Sequence, residues 1–152
     1  KNAFLGCQKL HEITLPEGVT KIGEAAFGGC TALTEVKVPG SMRDWGSYAF
    51  AYCHKLKSIN LGEGITKIGA AAFYECTALT EIKIPASVTE IGASAFASCN
   101  NLTKAIFFGA CPEEAGENPF HNAKPTIFRR QDAQGWAESF CGRPVEITPI
   151  TP

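Results

Sequence analysis

Seven cysteines and three histidines are the residues of this chain best suited to chemistry, and their spacing decides which chemistry is open to them. A thiolate nucleophile needs a histidine base within hydrogen-bond reach. The one set that could assemble it is Cys141, His121 and Asp132, all in the last third of the chain. A zinc site would draw on Cys111, His121 and Cys141, but no Cys-x-x-Cys or His-x-x-x-His spacing supports it. His11 and His54 sit far apart in sequence from that group and from each other. The recurring Ile-Gly steps lack the Gly-x-Gly-x-x-Gly or Gly-Lys-Ser form that cradles phosphate. The expectation is a chain without a catalytic centre, metal or cofactor.

The elements that position these residues come from a repeat. An Ala-Phe pair with a Cys three places after the Phe occurs at Ala3-Phe4-Cys7, Ala26-Phe27-Cys30, Ala49-Phe50-Cys53, Ala72-Phe73-Cys76 and Ala95-Phe96-Cys99, always 23 residues apart. A fixed period in this range is the signature of stacked coils. Equivalent positions on neighbouring coils lie roughly 4.7–4.9 Å apart with parallel Cα–Cβ vectors, beyond the Cβ separation of roughly 3.5–4.5 Å that a disulfide takes. Cys7, Cys30, Cys53, Cys76 and Cys99 therefore read as a ladder of buried free thiols. Cys111 and Cys141 lie off the register, and a disulfide between them stays open.

Residues 1–9 read as the end of a truncated coil, and four full coils follow over 10–32, 33–55, 56–78 and 79–101. Each opens on a short strand, as in Ile82-Lys83-Ile84, where alternation marks one buried face. Pro16, Pro39 and Pro85 end three of these strands and Gly62 the fourth. A second apolar pair follows on another side of the coil: Val19 with Ile22, Met42 with Trp45, Ile65 with Ile68, Val88 with Ile91. Gly23, Gly46, Gly69 and Gly92 come next, and supply either a positive φ or a close backbone approach. The stretch from Gly92 to Cys99 has the local spacing of a helical turn, too short to stand alone. The phenylalanine column should be the spine of the core. After Leu102 the register decays: Phe120 falls one place late, Thr126–Phe128 reads as a last strand, Trp136 and Phe140 as a cap over the terminal coil, and Ile147 to Pro152 as an exit linker.

The motif carried by LTEIKIPASVTEIGASAFASC at 79–99 and by LTEVKVPGSMRDWGSYAFAYC at 33–53 resembles the BspA-like class of leucine-rich repeats. The resemblance covers residues 1–106, with 107–152 as a degenerate last coil, cap and linker. It implies a leucine-rich-repeat solenoid of right-handed stacked coils, with a parallel sheet of short strands and short helical turns or loops elsewhere. It also implies a surface or secreted protein of host-associated bacteria, adhering to a host or matrix protein. Trp45 where the pattern has Ile, and Gly62 where it has Pro, are departures.

A net charge of −1 argues against nucleic acid and acidic lipid surfaces as partners. No run of 18 apolar residues calls for membrane insertion. Two surfaces remain as candidates for a protein or glycan partner. On the strands, Glu35 with Lys37 and Glu81 with Lys83 form mixed-charge columns that lack an aromatic platform. On the turns, Tyr48, Tyr52 and Tyr74 replace small residues beside Trp45, in the composition typical of interfaces. The expected function is a non-enzymatic binding or adhesion module; the alternative is a spacer that presents another domain. The exposed edge at Phe4, Leu5 and Leu10 suggests self-association.

Overall fold

The computed structural model describes residues 1–148; Pro149 to Pro152 of the expected linker lie outside the described residues, while Ile147 ends a strand. Alternation builds the first side. In β3 (Glu35–Lys37) Val36 points into the core and its neighbours point out. The same pattern recurs in β1 (Glu12–Thr14), β6 (Glu81–Ile84), β8 (Lys104–Phe107) and β10 (Thr126–Arg129). These strands pair in parallel, β1 with β3 and β6 with β8 with β10. The second apolar pair builds another parallel sheet, in which β2 (Lys21–Ile22), β4 (Asp44–Trp45), β5 (Lys67–Ile68), β7 (Glu90–Ile91) and β9 (Glu114–Ala115) follow in order.

The third side contains no helix among the described residues; it is a wall of stacked turns. From Tyr48 to Cys53 the backbone N–H groups alternate strictly. Those of Tyr48, Phe50 and Tyr52 donate to Ala70, Ala72 and Tyr74 of the next coil, at 2.7–2.9 Å. Those of Ala49, Ala51 and Cys53 donate to Gly46, Tyr48 and Phe50 of their own coil. The three-residue spacing that mimics a helical turn in the sequence is thus a series of overlapping turns, and half its donors hold the coils together. This geometry sets a left-handed backbone at two places per coil, such as Ala71 (φ 51°) with Glu75 (φ 55°) and Ser94 (φ 55°) with Ser98 (φ 58°).

Gly46 and Gly69 are not the left-handed residues. A Cβ at Gly46 would lie 2.6 Å from the Ile22 carbonyl oxygen, and one at Gly69 would lie 2.5 Å from that of Trp45. Close approach of the preceding coil, rather than positive φ, is what these positions need. The phenylalanine rings stack nearly parallel from Phe4, itself exposed at the end of the column, through the buried Phe27, Phe50, Phe73 and Phe96 to Phe120, with centroids 5.1–5.7 Å apart. Beside them Cys30, Cys53, Cys76 and Cys99 each donate to the phenylalanine carbonyl of the coil before, as Cys76 does to Phe50 at 3.2 Å, whereas Cys7, expected in the same buried ladder, is exposed because no coil among the described residues covers it. All seven cysteines are free thiols, Cys111 and Cys141 included. Burial pushes Cys53 and Cys99 up to about 12 and holds Cys76 well above its ordinary value of 9.0.

Trp45 is fully buried, 5.1 Å from Phe50 and 6.0 Å from Phe73 by ring centroid. Its indole N–H donates to the Leu61 carbonyl at 3.3 Å. That acceptor is free for a physical reason: on the next coil the partner position is Pro85, which has no N–H. One coil further on, Phe108 stands in the proline column and its N–H does reach the Ile84 carbonyl, at 3.0 Å.

The last full coil keeps the phenylalanine column through Phe120 and replaces the thiol by the buried Ala123. Pairing of Glu90 with Glu114 and of Lys104 with Thr126 shows one residue gained on the second side and one lost on the first, against the 23-residue step. The chain then closes with a hairpin, β11 (Ser139–Phe140) and β12 (Arg143–Ile147), turned by Cys141 (φ 49°) and Gly142 (φ 72°). Two consecutive positive φ values fit the tight turn whose twist suits a hairpin. Trp136 and Phe140 pack edge-on against Phe107, with centroids at 4.9 and 5.7 Å.

Two outcomes follow from this packing. Gly69→Ala should lower stability by about 1–3 kcal/mol because the coils cannot separate locally. Gly40→Ala, with open space around the added methyl, should change it by less than about 0.5 kcal/mol in the same urea titration. The buried thiols of Cys53, Cys76 and Cys99 hold their protons more tightly folded than unfolded. Their stabilising term is therefore complete below pH 9 and is lost as pH rises toward 12, at about 1.4 kcal/mol per pH unit for each thiol. Urea midpoints measured across pH 8–11 should fall along that slope, and Cys76→Ala should make the slope shallower; an unchanged slope would remove the thiols as its cause.

Candidate functional site

The structure separates most of the chemistry-bearing residues. Asp132 is taken by Arg130 through two hydrogen bonds of 3.0 and 3.1 Å, which hold its carboxyl below the usual range. Cys141 and His121 do line one shallow depression, with Lys124 and Arg143. Burial and the neighbouring Cys111 raise the Cys141 thiol, the reverse of what a nucleophile requires. Among the described residues no three His, Cys, Asp or Glu side chains gather as metal ligands.

On the turn wall, Tyr48 and Tyr52 are exposed by 47% and 43%. Both occupy left-handed positions, at φ 57° and 62°. In the same two columns other coils place Asn2, Ala25, Ala71, Ser94 and Asn118, and Gly6, Gly29, Glu75, Ser98 and Asn122. A bulky side chain in this conformation costs roughly 1–2 kcal/mol relative to the extended or helical regions, and burial of these two rings returns little. Tyr52 meets the half-buried Tyr74 edge-on at 5.4 Å and His54 at 6.4 Å, and His54 lies 3.7 Å from Glu75. Partial burial, then Tyr74, Glu75 and Tyr48, raise the Tyr52 phenol above its ordinary value.

Beside the tyrosines runs an apolar groove of about 250 Å³. Its floor is Ala25, Gly28 and Gly29, and its walls are Leu5 on one side and Tyr48 with Tyr52 on the other. The rings stand over coils that carry almost no side chain. Trp45, expected among these residues, is in the core and contributes nothing to the surface. It replaces isoleucine in the inward column of Ile22, Ile68 and Ile91, so its neighbours in sequence, not in space, linked it to the tyrosines. Arg43 is likewise held at the corner before β4, donating to the Gly40 and Met42 carbonyls.

On the first side, Lys37 pairs with Glu35 at 3.9 Å and Lys83 with Glu81 at 3.8 Å. These loose, solvated pairs contribute up to about 1 kcal/mol each. Two features were missed in the sequence. One is an alternating column on the second side, Lys21, Asp44, Lys67 and Glu90, with ion pairs of 2.6 and 2.7 Å between adjacent coils; its signal is the 23-residue step read along charged positions. The other is Phe108, exposed by 43% at the edge of the first side, which supplies the aromatic surface that the strand columns lack.

Two parallel ladders and a wall of turns, stacked at one coil per 23 residues, define a β-solenoid of the leucine-rich-repeat class. The chain belongs to the BspA type leucine rich repeat family, whose pattern matches residues 1–126 in six copies. Among solved structures it is similar to a leucine rich repeat protein of T. pallidum, with a TM-score of 0.70 and 29% identity over 87% of this chain and 66% of that one. It is also similar to a leucine rich cell surface protein of Faecalibacterium prausnitzii A2-165, with a TM-score of 0.64 and 26% identity over 92% of this chain and 32% of that one. This chain thus spans less than two thirds of the length of either. No curated protein matches the sequence.

If the tyrosines are kept for something other than stability, relieving the backbone should stabilise the fold. Tyr48→Asn should raise stability by about 1 kcal/mol, since asparagine tolerates the left-handed region. A loss of that size in thermal or urea unfolding would instead show that the ring stabilises the wall.

Proposed function

We propose that the chain is a non-enzymatic binding module of a bacterial cell-surface or secreted protein, and that it engages a host or matrix protein through Tyr48, Tyr52 and Tyr74. The observation that carries this reading is the pair of exposed tyrosines in left-handed backbone, flanking a groove with an apolar floor. Such rings lose little conformational entropy on binding and bring large contact area, which is why interfaces favour them. A partner would insert an apolar side chain between Leu5 and Tyr48, with Tyr52 and Tyr74 closing over it. His54 and Glu75 form the polar rim. On the strand side, Glu35, Lys37, Glu81 and Lys83 offer a charge-balanced surface for a second contact. The cell-surface description of the Faecalibacterium prausnitzii protein supports the location.

The test is retention of the protein on immobilised extracellular-matrix proteins beside a variant carrying Tyr48→Asn, Tyr52→Gly and Tyr74→Ala. These residues stand at the same positions in other coils, as Asn2, Gly29 and Ala97, so the variant should remain folded. Retention of the parent and at least a tenfold weaker signal for the variant is the expected result, a difference of about 1.4 kcal/mol. Equal retention of both would place the contact elsewhere, and retention of neither would favour a spacer.

A further inference from the structure

The first side of the solenoid is interrupted at its middle. β1 and β3 form one sheet and β6 begins the next. The segment 57–60 between them is joined to the ladder through one bridge, Asn60 with Lys83. At this break lies an open recess of about 600 Å³, within the range of small-ligand sites.

Its shape comes from one column. Pro16, Pro39, Gly62, Pro85 and Phe108 occupy equivalent positions on successive coils. Gly62, lacking a side chain, lowers the surface between the lining residues Asn60 and Glu63. Buried Pro85 and exposed Phe108 then rise as a wall on the far side. Both departures from proline fall at the recess, one removing bulk and the other adding an aromatic ring. Ser58 stands in the column of Glu12, Glu35 and Glu81, and Asn60 in that of Lys37 and Lys83. Each replaces a charged group by a neutral hydrogen-bonding one.

The remaining charges balance. Lys57 and Lys83 face Glu63 and Glu81 around the recess, so neither an anion nor a cation is favoured. Hydrogen-bonding capacity is nonetheless unspent. The Asn60 Oδ1 accepts from the Gly62 N–H at 3.0 Å, which orients the side chain and leaves its amide donors free. Glu81 and Lys83 stand 3.8 Å apart, too far for a good hydrogen bond. Among the described residues Ser58 Oγ has no partner.

We infer that this recess binds an uncharged saccharide, with the C–H face of a pyranose ring against Phe108 and its hydroxyls bonded to Ser58, Asn60, Glu81 and Lys83. An aromatic wall beside a few neutral and mutually compensating polar groups suits a ligand that is apolar on one face and hydroxylated at its rim. The site lies on the strand side and does not depend on the tyrosine contact of the turn wall.

The experiment is a titration of the ¹⁵N-labelled protein with methyl glycosides of glucose, galactose and N-acetylglucosamine and with their β1,4-linked disaccharides, followed by amide shifts. At least one of these should give saturable shifts confined to residues 57–63, 80–85 and 107–109. Affinity should fall at least tenfold in Phe108→Ala and in Asn60→Ala, be kept in Phe108→Trp, and be unchanged in Tyr48→Asn. Phe108 is at the surface, and the dispersion of the spectra reports directly that each variant is folded. Absence of saturable shifts from every glycoside up to about 50 mM, beyond the millimolar range that a few contacts reach, would overturn the inference. So would equal affinity in Phe108→Ala, or shifts of the same amides by an extended peptide and by no saccharide. Loss of matrix-protein retention in the tyrosine variant with the saccharide shifts intact would leave both sites standing as separate.

Discussion

Direct backbone hydrogen bonding between turns of successive coils governs the rest of this molecule. The N–H of Phe50 reaches the Ala72 carbonyl at 2.8 Å, and a contact that short leaves no room for side chains between the coils at the corners. Gly46 and Gly69 answer that demand where the second sheet meets the turn wall, since a methyl at either would collide with the coil before. The same pitch sets the phenylalanine rings at 5.1–5.7 Å, near the spacing of stacked aromatic pairs. It also brings Cys30, Cys53, Cys76 and Cys99 within 3.0–3.2 Å of a phenylalanine carbonyl. A cysteine here acts as a small hydrophobe with one weak donor and one acceptor to meet. One distance, imposed by the backbone, thus selects residue types in several columns at once.

This economy explains which parts of the fold were legible in the sequence. Columns under the strictest spatial demand repeat most faithfully, so Phe27, Phe50, Phe73 and Phe96 identify the period and the core directly. Gly69 was equally visible, and close approach was one of its two readings; the positive φ belongs instead to Ala71, two residues on. Alanine gives no sign of a left-handed backbone, because only the hydrogen-bond alternation of the turn wall demands it. Of the helical turns or loops expected on that wall, the structure has turns, and the choice was hidden for a related reason. Overlapping turns and a helix share a three-to-four-residue spacing, and what separates them is whether alternate donors leave the coil, which no local pattern records.

The candidate sites were less legible than the core. Tyr48, Tyr52 and Tyr74 stood out because they stand in columns filled mostly by small residues, Glu75 and Leu5 apart, and their grouping in space follows from the 23-residue step alone. Trp45 broke its column too, yet that column faces inward, and the residue met its larger volume with packing against Phe50 and Phe73. A departure from a repeat is therefore informative only once its column is assigned to a side. Lys21, Asp44, Lys67 and Glu90 show the converse: four charged residues that look ordinary one at a time form ion pairs because the register alternates their signs. Phe108 was passed over because it follows a strand whose neighbours were already losing register.

Departures in one coil are also coupled to those in the next. Pro85 cannot donate to Leu61, and a buried carbonyl without a partner costs roughly 1–3 kcal/mol. The indole of Trp45 supplies the missing donor from inside the core, something isoleucine, the residue of the other coils at that position, cannot do. Gly62 meanwhile takes its hydrogen bond from its own coil, through the Asn60 side chain, and not from the ladder. The core substitution, the lost ladder and the open surface at residues 57–63 are therefore parts of one local rearrangement. A solenoid whose coils were all alike would have no reason to bind at one place along its length; the rearrangement around Leu61 is what distinguishes the middle of this one from its neighbours.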